Sequence, residues 1–70
     1  MDQALTLTLN GEPRGFEAAL TVAELLARIG LDTRKVAVER NEEIVPRSAY
    51  GQTRLASGDR LEIVHFIGGG

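Results

Sequence analysis

The chain has 70 residues, a formal net charge of −2, 43% hydrophobic residues and no cysteine. That length allows one small domain with a modest core and leaves no room for two lobes around a deep cleft, so a self-contained enzyme is not expected. The cysteine count excludes disulfides, a thiolate nucleophile and cysteine-based zinc sites, and the acidic balance argues against a non-specific grip on nucleic acid.

The N-terminal segment has no basic start and no unbroken apolar run, so it does not read as a signal peptide, and no stretch approaches membrane-spanning length. Leu5 to Leu9 reads LTLTL, a strict alternation that predicts a strand with Leu5, Leu7 and Leu9 inward and Thr6 and Thr8 outward. Asn10-Gly11 is a turn signal, because both residues tolerate positive φ. The chain then returns through Glu12 to Phe16, and Pro13, which lacks an amide donor, assigns this second strand to a sheet edge.

Thr21 and Glu24 have the spacing of a capping box. Val22, Leu25, Leu26 and Ile29 follow at helical spacing. Gly30 stands where a left-handed residue closes a helix, and Leu31 can fold back on the last turn. Val36 to Arg40 (VAVER) is a third strand, Asn41-Glu42 a turn, and Glu43 to Val45 a short return strand that Pro46 stops. Ser48 to Gly51 is expected to form one helical turn capped by the serine. Gln52 to Leu55 is a brief extended piece, and Ala56 to Asp59 is a turn. Leu61 to Ile67 (LEIVHFI) is the final strand.

One amphipathic helix over a mixed sheet is an α+β two-layer arrangement. The helical connection is long enough to cross the sheet and set the first and last strands side by side in parallel. The expected fold is therefore a ubiquitin-like β-grasp with four to five strands and one main helix on one face. Residues 1–67 form the domain and residues 68–70 a flexible glycine tail.

On the final strand, Leu61 and Ile63 must face the helix, which leaves Val64 and Phe66 on the opposite face. These are either scattered surface apolars or a docking patch that leads into the tail. The patch is the preferred reading, with Val64, Phe66 and Ile67 as partner-docking candidates. His65 has no companion ligand and no serine or cysteine to activate, so it is read as a structural or partly exposed histidine. The carboxylates of Glu39, Glu42 and Glu43 are read as a solvated hairpin tip, and Arg34, Lys35, Arg47 and Arg54 as too scattered for a phosphate site.

The glycines Gly68-Gly69-Gly70 are costly to order. On their own they read equally as a frayed end, a cloning remnant or a thin arm. As an arm they would span about 10 Å and thread a narrow tunnel. The carboxylate at Gly70 is ionised near neutral pH and can attack the α-phosphorus of ATP when an enzyme holds both.

Thr21-Val22-Ala23-Glu24-Leu25-Leu26, the segment VAVERNEEIVPRSAY (Val36 to Tyr50) and the ending GDRLEIVHFIGGG (Gly58 to Gly70) together resemble the small sulfur carriers of bacterial thiamine (thiazole) biosynthesis, the ThiS family. The resemblance covers nearly the whole chain. It implies that a ThiF-like, E1-like enzyme adenylates the Gly70 carboxylate with Mg-ATP, no cofactor being bound by the carrier itself. Sulfur from a cysteine-desulfurase route then gives a C-terminal thiocarboxylate, which is delivered to a ThiG-like thiazole synthase. Gly70 would carry the sulfur, and Gly68 and Gly69 would form the arm entering partner active sites. The carrier would be a protein co-substrate rather than an enzyme, cytoplasmic, with no metal site, nucleic-acid partner or membrane partner. Sulfur carriers for molybdopterin or tRNA thiolation, and TGS-like β-grasp interaction modules, are the alternatives.

Overall fold

The computed structural model describes residues 4–66. Its strands are β1 (Leu5–Leu9), β2 (Glu12–Phe16), β3 (Val36–Arg40), β4 (Glu43–Val45) and β5 (Arg60–His65), with one helix, α1 (Val22–Arg28). They form one five-stranded sheet in the order β2-β1-β5-β3-β4. The first and last strands are parallel neighbours, and every other pairing is antiparallel. This is the β-grasp arrangement expected from the sequence, with the Pro13 strand at an edge.

Each element follows from local chemistry. Asn10 and Gly11 adopt φ of 50° and 82°, the two positive angles that a tight hairpin turn between twisted strands requires. The Thr21 hydroxyl accepts the Glu24 amide at 3.2 Å, and the Glu24 carboxylate accepts the Thr21 amide at 2.9 Å, so the capping box is closed. At the other end the Leu31 amide donates to the Leu26 carbonyl and the Gly30 amide to the Ala27 carbonyl. With Gly30 at φ 80° this is a Schellman closure.

Two short 3-10 turns depart from the sequence reading. One, Thr33–Lys35, was not anticipated; Asp32 caps it by accepting the Arg34 amide at 2.9 Å. Hydrogen bonds from the Arg34 side chain and amide hold the Asp32 carboxyl down at about 2. The other begins at Arg47 rather than Ser48 and runs to Ala49, with Pro46 at the cap position and no side-chain cap bond. Proline's fixed φ sets the chain for the turn, so the serine is not needed as a cap. The extended piece after it amounts to a single bridge, Thr21 to Arg54. The last strand ends at His65, before the predicted Ile67, which lies outside the described residues.

The core lies between α1 and one face of the sheet. Val22, Leu25 and Leu26 pack against Leu5, Leu7 and Leu9 of β1, Val36 and Val38 of β3, and Leu61 and Ile63 of β5. Leu20, Val45, Tyr50 and Leu55 close the rim. The Tyr50 hydroxyl donates to the Val36 carbonyl at 3.3 Å, so its polar tip is satisfied inside the protein.

Asp59 is the one buried charged residue among those described, 6% exposed. Its carboxylate accepts from the Arg40 Nε at 2.8 Å, the Ala56 amide at 2.9 Å and the Asn41 side-chain amide at 3.1 Å. Glu39, Glu42 and Glu43 are exposed, as the solvated-tip reading expects, whereas Arg40 among them is half-buried against Asp59 and ties the β3–β4 hairpin to the start of β5. Burial pushes the Asp59 carboxyl up, but the Ala56 amide, Arg40 and Asn41 outweigh it and hold the group below its ordinary value. The fold therefore favours the ionised form. That stabilisation is complete above the unfolded-state value, about 3.9, and is lost as the pH falls through the lowered folded value. Asp59→Asn is expected to cost about 1–2 kcal/mol near pH 7. Urea denaturation should show the gap to the native protein narrowing as the pH drops below about 4. A gap of the same size at pH 7 and pH 3 would contradict this assignment.

Candidate functional site

The sheet has a covered face and an open face, and β5 is the strand on which both can be compared. Leu61 and Ile63 are 1% and 9% exposed, whereas Val64 and Phe66 are 59% and 46% exposed. Alternation along a strand produces this split, and the helix on one side decides which set is buried. Phe66 lies just past the strand, yet its amide still donates to the Lys35 carbonyl at 2.7 Å, so it is held in line with the ladder.

The neighbouring strands extend the open face. Ala37 stands opposite Val64, and Glu39 opposite both Glu62 and Ile44. Residues opposite one another in antiparallel strands share a face. Ala37, Ile44 and Val64 therefore form an apolar centre, with Glu39 and Glu62 set into it, and these side chains line one shallow depression. Ile44 is 74% exposed, the most exposed of the large hydrophobics described. It was not singled out from the sequence. Of the adjacent apolar pair Ile44-Val45 only one can face the core, and the register that puts Val45 opposite Val38 turns Ile44 outward.

The predicted site residues fall into two groups. Val64 lies on the open face beside Ala37 and Ile44, and Phe66 follows two residues further along the same side, next to Lys35. Ile67, Gly68, Gly69 and Gly70 lie outside the described residues. His65 is exposed at the strand end, and no cluster of three or more metal-ligating side chains occurs among the described residues. Of the basic residues considered for phosphate, Arg34 is paired with Asp32, and Arg47 donates to the Thr33 carbonyl at 3.0 Å, so they do not converge on one site.

A ThiS family profile matches residues 7–70, from the second leucine of β1 through the last glycine. The chain belongs to the ThiS family. It is 46% identical over 65 residues to the sulfur carrier protein ThiS of Bacillus subtilis, covering 91% of this chain and 98% of that one. The crystal structure of a thiamine biosynthesis protein (ThiS) from Geobacter metallireducens superposes with a TM-score of 0.81 at 36% identity, over 94% of this chain and 100% of that one. The chain is also 59% identical over 66 residues to a thiazole synthase of Paramagnetospirillum magneticum, covering 94% of this chain and 20% of that protein. It therefore spans about a fifth of the length of the thiazole synthase it matches there.

The two faces of β5 in this ThiS-family domain predict opposite costs for truncation. Leu61→Ala is expected to lower stability by about 2–5 kcal/mol, and Val64→Ala by no more than about 0.5 kcal/mol. Chemical denaturation of the two variants measures the difference. Comparable losses would mean that the open face is covered.

Proposed function

We propose that this chain is the sulfur carrier of thiamine biosynthesis and that the carboxylate of Gly70 is the carrying group. The observation that carries the reading is a ThiS family match that runs without a break from β1 into the glycine segment after β5. The chemistry follows from the properties of a carboxylate. Ionised, it is a poor electrophile and a competent nucleophile. An activating enzyme of the ThiF type holds it against Mg-ATP, and one carboxylate oxygen attacks the α-phosphorus. The bond to the bridging oxygen of pyrophosphate breaks, and pyrophosphate leaves. The acyl-adenylate carbonyl is then attacked by hydrosulfide, released when a thiol reductant takes the persulfide sulfur of a cysteine desulfurase down by two electrons and is itself oxidised to a disulfide. AMP departs with the acyl oxygen, leaving a thiocarboxylate on Gly70.

The carrier itself acts as a co-substrate and performs no catalysis. Thiazole synthase is the proposed acceptor. Support comes from the thiazole synthases of Paramagnetospirillum magneticum and Magnetococcus marinus, each of which has a segment similar to this chain over 20% of its length. The open face is the proposed docking surface. Val64 and Phe66 lie on it, and they are followed in the sequence by Ile67, the third docking candidate, and by Gly68 and Gly69, the arm proposed to enter partner active sites. Glu39 and Glu62 stand directly opposite each other on adjacent strands. Two like charges so placed weaken the sheet slightly and suit a partner that brings an apolar knob with basic neighbours.

Two outcomes test this reading. Deleting Gly70 draws the carboxylate back by roughly 3.5 Å while leaving the domain folded. ATP–pyrophosphate exchange by the activating enzyme should then fall by at least about a hundredfold, since misplacement of even 1 Å has such an effect. Exchange at the native rate with the shortened chain would rule out the terminal-carboxylate mechanism. Phe66→Ala should raise the KM of the carrier in the same assay about tenfold, as loss of an aromatic anchor does at an interface. An unchanged KM would remove Phe66 from the docking surface.

A further inference from the structure

The β1–β5 ladder has an unusual last rung. The Thr8 amide donates to the Asp59 carbonyl at 3.0 Å, and the Asn10 amide donates to the Leu61 carbonyl at 2.9 Å. A parallel ladder continues with the next amide of β5, that of Ile63, donating to the main-chain carbonyl of residue 10. Here Asn10 is already in the left-handed region, turning the chain into β2, so its main chain has left the ladder. Its side chain takes over. The Asn10 Oδ1 accepts the Ile63 amide at 2.7 Å, and the Asn10 Nδ2 donates to the Ile63 carbonyl at 3.3 Å. One side-chain amide thus satisfies both polar groups that Ile63 presents toward β1.

The position matters because β5 outruns its neighbour. Its residue pairs with β1 are only Thr8 with Arg60 and Leu9 with Leu61. From Ile63 onward the strand has β3 on one side and the Asn10 side chain as its link to the other. Ile63 precedes Val64 and stands seven residues before Gly70. A glycine at position 10 would also meet the turn's need for positive φ, without any side chain. The turn alone therefore does not call for asparagine, whereas the rung to Ile63 does.

We propose that Asn10 is a positioning residue for the carrier's reaction: its side chain fixes the last residues of β5 and so aims the segment that ends at Gly70. This rests on the sulfur-carrier reading above. A glycine segment has little stiffness of its own, so the region its end explores is set by where the sheet releases it and in what direction. Loosening the release point lowers the fraction of docked complexes with the carboxylate near the ATP phosphorus. Docking itself is spared, because Ala37 and Ile44 lie on β3 and β4, Val64 stays paired with Ala37, and the Phe66 amide keeps its bond to the Lys35 carbonyl.

The test compares Asn10→Gly with Asn41→Gly in the adenylation assay. Asn41 is also an asparagine in a hairpin turn with positive φ. It holds the opposite end of β5: its Oδ1 accepts the Arg60 amide at 2.9 Å and its own amide donates to the Arg60 carbonyl at 2.8 Å. Both glycine variants keep the turn conformation and lose side-chain hydrogen bonds. Asn10→Gly is expected to lower kcat about tenfold with KM within about twofold of native, while Asn41→Gly keeps the native kcat. Asn10→Asp, which keeps the acceptor for the Ile63 amide and loses the donor to its carbonyl, should fall between native and Asn10→Gly. Amide hydrogen exchange at Ile63 should quicken in Asn10→Gly. Native kcat in Asn10→Gly, an equal loss in Asn41→Gly, or undiminished protection of the Ile63 amide would each overturn the proposal. Failure of the native chain to be adenylated at all would instead overturn the sulfur-carrier reading, and this role with it.

Discussion

The structure depends on where β5 sits. It is the last strand in the chain and the middle strand of the sheet, hydrogen-bonded to β1 on one side and β3 on the other. Its inward residues, Leu61 and Ile63, lie under α1 in a core too small to lose either without a large penalty. In a domain of this size a central strand held on both edges is the firmest element available. The proposed reactive end thus follows, in the chain, the most strongly held strand.

Around that strand the two faces divide the work. The covered face supplies stability through leucine and valine contacts with a helix whose ends are both closed by hydrogen bonds. The open face contributes little to folding and carries exposed apolar side chains among carboxylates. At the start of β5 an ion pair between buried Asp59 and half-buried Arg40 locks the preceding turn to the β3–β4 hairpin. Further along, Asn41 and Asn10 hold the strand from opposite neighbours. The polar contacts therefore concentrate on fixing β5, while the apolar contacts fix the sheet to the helix.

Much of this was legible in the sequence, for identifiable reasons. LTLTL states its face by alternation, Thr21 and Glu24 announce the helix start, Gly30 announces its stop, and Pro13 excludes β2 from the interior. The β-grasp order followed because a strand, a hairpin, a helix and a last strand leave few ways to bury one apolar stripe. What escaped was information that belongs to register or to contacts distant in sequence. Ile44 and Val45 are equally apolar, and only pairing with β3 tells which one faces out. Asn10 signalled a turn through its φ preference, but its bond to Ile63, 53 positions away, has no local signature. Asp59 looked like an ordinary turn residue until Arg40 was placed against it. The glycine segment was legible only through family resemblance, since three glycines have the same local physics in an arm as in a frayed end.

The central claim is that Gly70 leaves the activating reaction with sulfur in place of one carboxylate oxygen. The most direct measurement is the intact mass of the protein after incubation with a ThiF-like activating enzyme, Mg-ATP and a sulfide source, followed by fragmentation to locate the change. A gain equal to the difference between sulfur and oxygen, mapped to Gly70, is the result this account predicts. An unchanged mass alongside an enzyme that demonstrably thiolates another carrier would contradict it.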